Sequence, residues 1–190
     1  YYSKGAFTTT LYGMKSDVAF INGLLGKEQN NPEFNAAYTI AKEIGMDVSF
    51  AEVDDLTVGG METVRIRMTD QSGFEMVVIG ESIGGGAFKI HYIDDCPMDI
   101  HGTNYELVVF LKKASQSAAE ELAKKIAPQV ESLNDIYCVT GKAYSIINIK
   151  AGKEFSKELK VSLTAMSEVA RLRSVAPIHP IVTDISRTAP

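Results

Sequence analysis

Three consecutive glycines, Gly84, Gly85 and Gly86, separate two stretches that have the pattern of strands, residues 74–79 and 87–93. Because glycine has no Cβ, such a run can adopt positive φ and approach a ligand or another chain closely. The consecutive N–H groups of a glycine loop can form a concave nest for an anion. A bulge or a corner between strands also uses glycine, for steric reasons alone. The sequence leaves both interpretations open.

A ligand carboxylate at this loop would need N–H donors together with a hydroxyl or a cation. Ser82 and Lys89 flank the glycines, and Arg65 and Arg67 add charge if they face the same side of the sheet. The alternative is that these cations form the solvent face of a half-covered sheet. The candidate ligand-binding residues are Ser82, Gly84, Gly85, Gly86 and Lys89.

Composition narrows the class of protein. The 190 residues carry a net charge of −5, which argues against nucleic acid as a partner. No apolar run approaches the roughly 20 residues of a membrane span, and no signal peptide is visible. We therefore expect a cytoplasmic protein without membrane contact. Cys96 and Cys138 are too few for a disulfide framework or an iron–sulfur cluster, and three histidines do not suggest a metal site.

The first half of the chain predicts an α+β domain over residues 1–96. Residues 6–12 are rich in threonine and predict a strand. Helices are predicted over residues 14–26, with Ser16 as the N-cap, and over residues 32–45. The remaining predicted strands are residues 47–53, 63–69, 74–79 and 87–93.

The second half predicts a different domain. Residues 97–104 contain proline, glycine and asparagine and predict a linker. Residues 105–176 then predict the order β-α-β-β-α-β, a ferredoxin-like arrangement. The predicted elements are strand 105–112, helix 115–130, strands 136–140 and 143–150, helix 155–166 and strand 170–175. Residues 177–190 have three prolines and predict an extended tail.

Strands 105–112 and 143–150 predict an interface. In strand 105–112, Leu107 and Val109 alternate with Val108 and Phe110, so both faces are apolar. Helices cover one face of a ferredoxin-like sheet, and an apolar face left open needs a partner. We therefore expect a homodimer, or a tight partner chain, formed through the second half with two-fold symmetry.

Four stretches of the first half resemble the β chain of the bacterial iron–sulfur-dependent L-serine dehydratases, in matching order and approximate spacing. They are Thr10-Leu11-Tyr12-Gly13, Gly23-Leu24-Leu25-Gly26, Thr63-Val64-Arg65-Ile66 and Gly80-Glu81-Ser82-Ile83-Gly84-Gly85-Gly86. In that family an allosteric substrate-binding domain precedes an ACT domain, a ferredoxin-like unit that commonly binds amino acids. The resemblance extends to about Val175 and implies two α/β sandwich domains.

The resemblance also implies an activity for the whole enzyme, the conversion of L-serine to pyruvate and ammonia at a 4Fe-4S cluster. The cysteines that hold this cluster lie in the catalytic α half, which this chain lacks, as it lacks the family's Ser-Ser-His-Thr-Ala-Gly-type motif. No catalytic residue is therefore carried over to this sequence. The chain is expected to contribute regulation and assembly, with the α half and a small amino acid as partners and without a cofactor of its own.

Other functions stay open beside this one. A stand-alone amino-acid-binding regulator or a dimerisation module would have the same pattern. A Ser82–His91 catalytic pair would need the two side chains within hydrogen-bond reach. The adjacent acids Asp54-Asp55 and Asp94-Asp95 are typical of Asx turns, with a divalent cation site as the alternative.

Overall fold

The computed structural model describes residues 1–28, 30–56, 58–60 and 62–178. The chain divides into two compact units, residues 1–81 and residues from 82 onward. Most of the predicted tail, residues 177–190, lies outside the described residues, as does His179. Each unit is described by itself below.

The first unit begins with a short strand and three helices. These are β1 (Tyr2–Ser3), α1 (Ala6–Thr10), α2 (Ser16–Leu24) and α3 (Ala37–Glu43), with a 3-10 turn at Phe34–Ala36. The prediction of a strand over residues 6–12 was wrong. In α1 the hydroxyls of Thr9 and Thr10 donate hydrogen bonds to the carbonyl of Ala6 at 3.2 and 2.7 Å. These local bonds let a threonine-rich stretch close into a helical turn.

Helices α2 and α3 form the small core of the first unit. Ile21, Ala37 and Ala41 are fully buried there. Helix α2 begins one residue after Lys15, which has a left-handed backbone (φ 57°), so Ser16 is not its N-cap. Gly26 and Gly45, the last residues of the two predicted helices, follow α2 and α3 with positive φ.

The strands of the first unit are β1, β2 (Glu52–Val53), β3 (Thr63–Thr69) and β4 (Glu75–Gly84). Strand β1 pairs in parallel with β2 and antiparallel with β3. Strands β3 and β4 form an antiparallel hairpin in which Arg65 lies opposite Ile79. The alternation of residues 63–69 predicted β3 correctly, whereas the predicted strand 47–53 is reduced to the two residues of β2.

The second unit opens with a hairpin of β5 (Ala87–Ile93) and β6 (Cys96–Ile100), antiparallel to each other. Strand β6 occupies the first part of the predicted linker 97–104. Its side chains alternate between buried and exposed, and Pro97 is exposed. Among the described strands β6 pairs only with β5, and a strand paired on one side tolerates proline. The extent of the two domains stays a prediction.

Six further elements complete the second unit. They are β7 (Tyr105–Leu111), α4 (Gln116–Ile126), β8 (Leu133–Thr140), β9 (Ser145–Ala151), α5 (Lys157–Thr164) and β10 (Val169–Val175). The four strands form an antiparallel sheet in the order β10-β7-β9-β8. Ser115 caps α4 and Ser156 caps α5. The described chain is thus a mixture of helices and two sheets, as the α+β prediction requires.

The four-stranded sheet of the second unit is covered on both faces. The buried residues Leu107, Val109, Ile147 and Ile149 pack with residues of α4 and α5 in one core. On the opposite face Val108, Phe110 and Ile146 are at most 2% exposed.

The β5–β6 hairpin makes polar contacts with the strands of this sheet. The backbone N–H of Asp99 donates to the Tyr137 hydroxyl at 2.9 Å, and the N–H of Lys142 donates to Asp95 Oδ2 at 2.8 Å. The Tyr144 hydroxyl donates to Asp94. The apolar face that suggested a homodimer is therefore already buried within the second unit, although the homodimer itself stays a prediction.

No helix within the described ranges is long and apolar enough to cross a membrane.

Candidate functional site

A carboxylate surrounded by three nitrogen groups lies where the β5–β6 hairpin meets the sheet of the second unit. Asp99 Oδ1 is 2.7 Å from His101 Nε2 and 3.3 Å from Lys89 Nζ, while Oδ2 is 3.0 Å from Lys150 Nζ. The Lys150 hydrogen bond, with those of His101 and Lys89, holds the pKa of Asp99 well below its usual value despite partial burial. We call these four residues the Asp99 cluster.

The Asp99 cluster is open to solvent on one side. The side chain of Asp99 is 53% exposed, those of Lys89 and His101 about a third, and that of Lys150 only 10%. Strand β6 points Asp99 outward because its alternate residues Cys96, Met98 and Ile100 are buried. The cluster can therefore exchange polar contacts with a small charged ligand, since a carboxylate, an ammonium group and an imidazole reach solvent together.

A buried polar pair, Glu106 on β7 and Asn148 on β9, lies beside Lys150 and Tyr137 in the sheet. Both residues have no exposed surface, and Asn148 Nδ2 donates to Glu106 Oε2 at 2.7 Å. Within the described residues, Glu106 Oε1 and Asn148 Oδ1 are buried without a hydrogen-bond partner. Burial raises the pKa of Glu106, while the Asn148 hydrogen bond, the Lys150 charge and the His101 backbone act in the opposite direction.

Tyr137 on β8 joins this pair to the Asp99 cluster. Its ring lies under Lys150, with Nζ 5.6 Å from the ring centroid. Burial raises the pKa of its hydroxyl to about 12, so Tyr137 is neutral and accepts from the Asp99 N–H. Sequence reasoning missed Glu106, Asn148 and Asp99. The available signal was a glutamate inside the otherwise apolar strand 105–111.

A cavity of about 660 Å³ lies in the first unit. Aromatic and aliphatic side chains form much of its wall, among them Phe20, Phe50, Ile66 and Met68. Its volume is in the usual range for small-molecule sites. A smaller cavity of about 300 Å³ in the second unit is lined by residues that include Tyr105, Phe155 and Lys160.

The arginines of β3 also line the larger cavity, and both are paired with carboxylates. Arg65 lies 3.2 Å from Asp55, with its guanidinium carbon 4.9 Å from the centroid of the Tyr1 ring. Arg67 lies 2.9 Å from Glu75. The cations considered for ligand binding are thus ion-paired at the surface of the first unit.

The glycines form a tight turn in the structure. Gly85 and Gly86 connect β4 to β5, and the φ angles of Gly84, Gly85 and Gly86 are 83°, 62° and 80°. Ser82 and these glycines are exposed, and a Cβ at any of the three glycines would meet open space. Lys89 belongs to the Asp99 cluster. Ligand binding by Ser82, Gly84, Gly85, Gly86 and Lys89 stays a prediction.

Three of the four adjacent acids, Asp55, Asp94 and Asp95, contact other parts of the chain. Asp55 pairs with Arg65, Asp94 accepts from the Tyr144 hydroxyl and Asp95 accepts from the backbone of Lys142. In the described part of the chain, no group of three or more His, Cys, Asp or Glu side chains could hold a metal ion.

No family model matches the chain. Two curated proteins are similar to it over about half of its residues. The "L-serine dehydratase, beta chain" of Peptoniphilus asaccharolyticus is 32% identical over 98 residues, which are 52% of this chain and 44% of that protein. The "Probable L-serine dehydratase, beta chain" of Bacillus subtilis (strain 168) is 31% identical over 105 residues, 55% of this chain and 47% of that protein. The match spans less than half the length of either relative.

Proposed function

We propose that this chain is the regulatory and assembly part of an L-serine dehydratase-like enzyme, which converts L-serine to pyruvate and ammonia. The observation that carries the proposal is its similarity, at 31–32% identity, to two proteins named as β chains of L-serine dehydratase. A β chain implies a partner chain, so catalysis is assigned to an α half. Fold alone would not support this assignment, because one fold hosts many functions.

The second unit supports the regulatory part of the proposal. Its strand order β10-β7-β9-β8, with a helix after β7 and another after β9, is compatible with a ferredoxin-like, ACT-like domain. The first unit would then correspond to the allosteric substrate-binding domain of the family. A homodimer belongs to the same proposal, and sedimentation of the purified chain at micromolar concentration tests it.

The thiols of the chain do not fit a 4Fe-4S cluster. A cluster takes three or four thiolates, whereas the sequence has only Cys96 and Cys138. Cys96 is buried, and burial raises its pKa to about 11, which keeps the sulfur protonated at neutral pH. Burial also raises the pKa of Cys138. We therefore assign the cluster to the α half.

Amino-acid sensing is proposed at the Asp99 cluster. A free α-amino acid carries an ammonium and a carboxylate, and the cluster offers a half-exposed carboxylate beside a partly exposed lysine and a partly exposed histidine. The ammonium would pair with Asp99 and the carboxylate with Lys89 and His101. The alternative function, a stand-alone amino-acid-binding regulator without catalysis, rests on the same feature.

The test is a calorimetric titration of the full chain with L-serine and a panel of other amino acids. We expect L-serine to bind, and we expect Lys89→Met to weaken binding at least tenfold. Lys113→Met, on an exposed lysine, is the matched control. Binding that is unchanged in Lys89→Met would refute the proposed site.

A second measurement separates the enzyme subunit from the stand-alone regulator. The chain alone should release no ammonia from L-serine after iron–sulfur reconstitution, whereas the chain mixed with the α chain of an L-serine dehydratase should do so. Ammonia release and a brown chromophore in the chain alone would contradict the assignment of catalysis to another chain. Failure to assemble with an α chain, with amino-acid binding intact, would favour the regulator.

A further inference from the structure

The two buried oxygens without partners belong to side chains that already touch each other. Asn148 Nδ2 donates to Glu106 Oε2 at 2.7 Å, while Glu106 Oε1 and Asn148 Oδ1 are both buried and unpaired within the described residues. A buried acceptor without a donor destabilises the folded state. Both are acceptors while the carboxyl is ionised, so neither can satisfy the other in that state.

The backbone N–H of His101 lies near the Glu106 carboxyl and the Tyr137 hydroxyl lies near Asn148, but neither meets hydrogen-bond geometry with the two unpaired oxygens. The missing donor is then a water, a ligand group or a proton. Glu106 and Asn148 have no exposed surface, and neither residue lines the two cavities described above. A proton needs no space. Placed on Oε1, it would turn that oxygen into a donor toward Asn148 Oδ1, and one proton would satisfy both oxygens in a cyclic acid–amide pair.

The charged groups around Glu106 are compatible with a neutral, protonated carboxyl group. Lys150 lies opposite Glu106 on the neighbouring strand β9, and it forms an ion pair with Asp99 at 3.0 Å. Lys89 and His101 also face Asp99. Strand β8 contributes the neutral hydroxyl of Tyr137, and β10 places Val175 opposite Glu106. Lys150, the cation that acts on Glu106 among the described residues, is thus shared with an ionised carboxylate, and burial disfavours a second negative charge there.

We propose that Glu106 is a protonated carboxylic acid in the folded protein, joined to Asn148 by two hydrogen bonds, and that this proton stabilises the part of the sheet where Tyr137 and Lys150 hold Asp99 of the hairpin. Loss of the proton would leave a buried carboxylate and two unsatisfied oxygens in the sheet. The fold therefore contains a pH-sensitive contact, independent of the function proposed above.

The direction of the pH dependence follows from the raised pKa of Glu106. The folded state binds a proton that the unfolded chain releases near the ordinary pKa of 4.5. The stabilisation that this proton contributes is therefore fully present below pH 4.5, and it is lost as the pH rises through the folded pKa of Glu106. In that window the folding equilibrium constant of the second unit falls by up to about tenfold per pH unit.

The experiment uses the full chain with ¹³C-labelled glutamate. The Cδ resonance of Glu106, assigned by its absence in Glu106→Gln, is followed from pH 4 to pH 9. Hydrogen exchange of the β6 and β9 amides is measured in parallel. We expect the resonance to keep its protonated position above pH 5, and exchange protection to fall as that position is lost.

Glu106→Gln keeps both hydrogen bonds of the pair without a titrating group, so its protection should not fall in this window. Glu121→Gln, on an exposed glutamate of α4, is the matched control and should behave like the wild type. A Glu106 resonance that is ionised at pH 5 would overturn the proposal, and would favour a buried water as the donor. Identical pH profiles for Glu106→Gln and wild type would also overturn it. If Glu106→Gln fails to fold, Glu106→Asp supplies the assignment and the wild-type titration decides.

Discussion

Replacing Asp99 by asparagine tests the Asp99 cluster most directly. The change removes one negative charge, keeps the size of the side chain and leaves the Asp99 N–H free to bond Tyr137. Lys150 is the residue most affected, because its side chain is only 10% exposed and its ammonium lies 3.0 Å from Asp99. Lys89 and His101 are more exposed and can turn toward water.

The expected loss of stability is about 2 kcal/mol at pH 7. Removing the partner of a fully buried charge costs about 3–5 kcal/mol. Asp99 itself is half exposed, and the asparagine oxygen still accepts a hydrogen bond from Lys150, so the cost falls below that range. The more exposed pairs with Lys89 and His101 add at most about 0.5 kcal/mol each.

Hydrogen exchange is the appropriate measurement, because the chain has two units and a single unfolding transition is not assured. The slowest amides of β7 and β9 report the opening of the second unit. We expect them to exchange about 30-fold faster in Asp99→Asn than in wild type at pH 7, as 2 kcal/mol implies. Asp99→Asn in a Lys150→Met background should cost much less, since the buried cation is then absent.

The pH dependence provides a second check. The pKa of Asp99 is lowered in the folded state, so its contribution is present above the ordinary value of 3.8 and is lost as the pH falls below it. The difference between wild type and Asp99→Asn should therefore shrink on acidification. Equal stability of the two at pH 7, or a difference that grows below pH 3.8, would refute the reasoning.

Three further changes test packing and capping in the second unit, each by thermal unfolding and amide exchange. Gly141→Ala should destabilise the second unit by about 2 kcal/mol, because its Cβ would clash with Asp95 Oδ1 and lie 2.9 Å from Cys96 Sγ. Gly152→Ala, with an ordinary contact distance of 3.5 Å, is its control, and equal effects would contradict the packing. Leu163→Ala should lower the free energy of unfolding by about 3 kcal/mol, since Leu163 is fully buried. A decrease below about 1 kcal/mol would mean that the site is solvated. Ser115→Ala should cost about 1 kcal/mol by removing the α4 cap, and unchanged stability would show that the cap contributes nothing.

The sequence predicted elements whose pattern is local and regular. Strand β3 was predicted correctly because Val64, Ile66 and Met68 alternate with two arginines. The order of the elements from residue 105 to residue 175 was predicted correctly, because amphipathic patterns mark the helices and clear turns separate the elements. In these segments local preference and tertiary packing agree.

The elements that were missed depend on contacts that a pattern does not show. Helix α1 was mistaken for a strand because threonine favours strands on average, yet here Thr9 and Thr10 bond back to Ala6. Strand β6 was read as a linker because Pro97 follows two aspartates, although its alternate residues are buried against the sheet.

The candidate site was missed for the same reason. Asp99 meets Lys150, 51 residues later, and Glu106 meets Asn148, 42 residues later. One sequence gives no sign of such pairings. Lys89 alone was selected in advance, for a proposed partnership with the glycine turn, whereas its ion-pair partner is Asp99.

The contacts of the β5–β6 hairpin with the sheet determine where a stable fragment of this protein can begin. A fragment designed on the β-α-β-β-α-β pattern would begin at Tyr105 and leave β5 and β6 behind. The sheet face that carries Val108 and Ile146 would then lose the contacts of Tyr137, Tyr144 and Lys150 with the hairpin, and apolar strands that become exposed are prone to aggregate. A soluble fragment should instead keep β5 and β6, so that the hairpin keeps its contacts with the sheet.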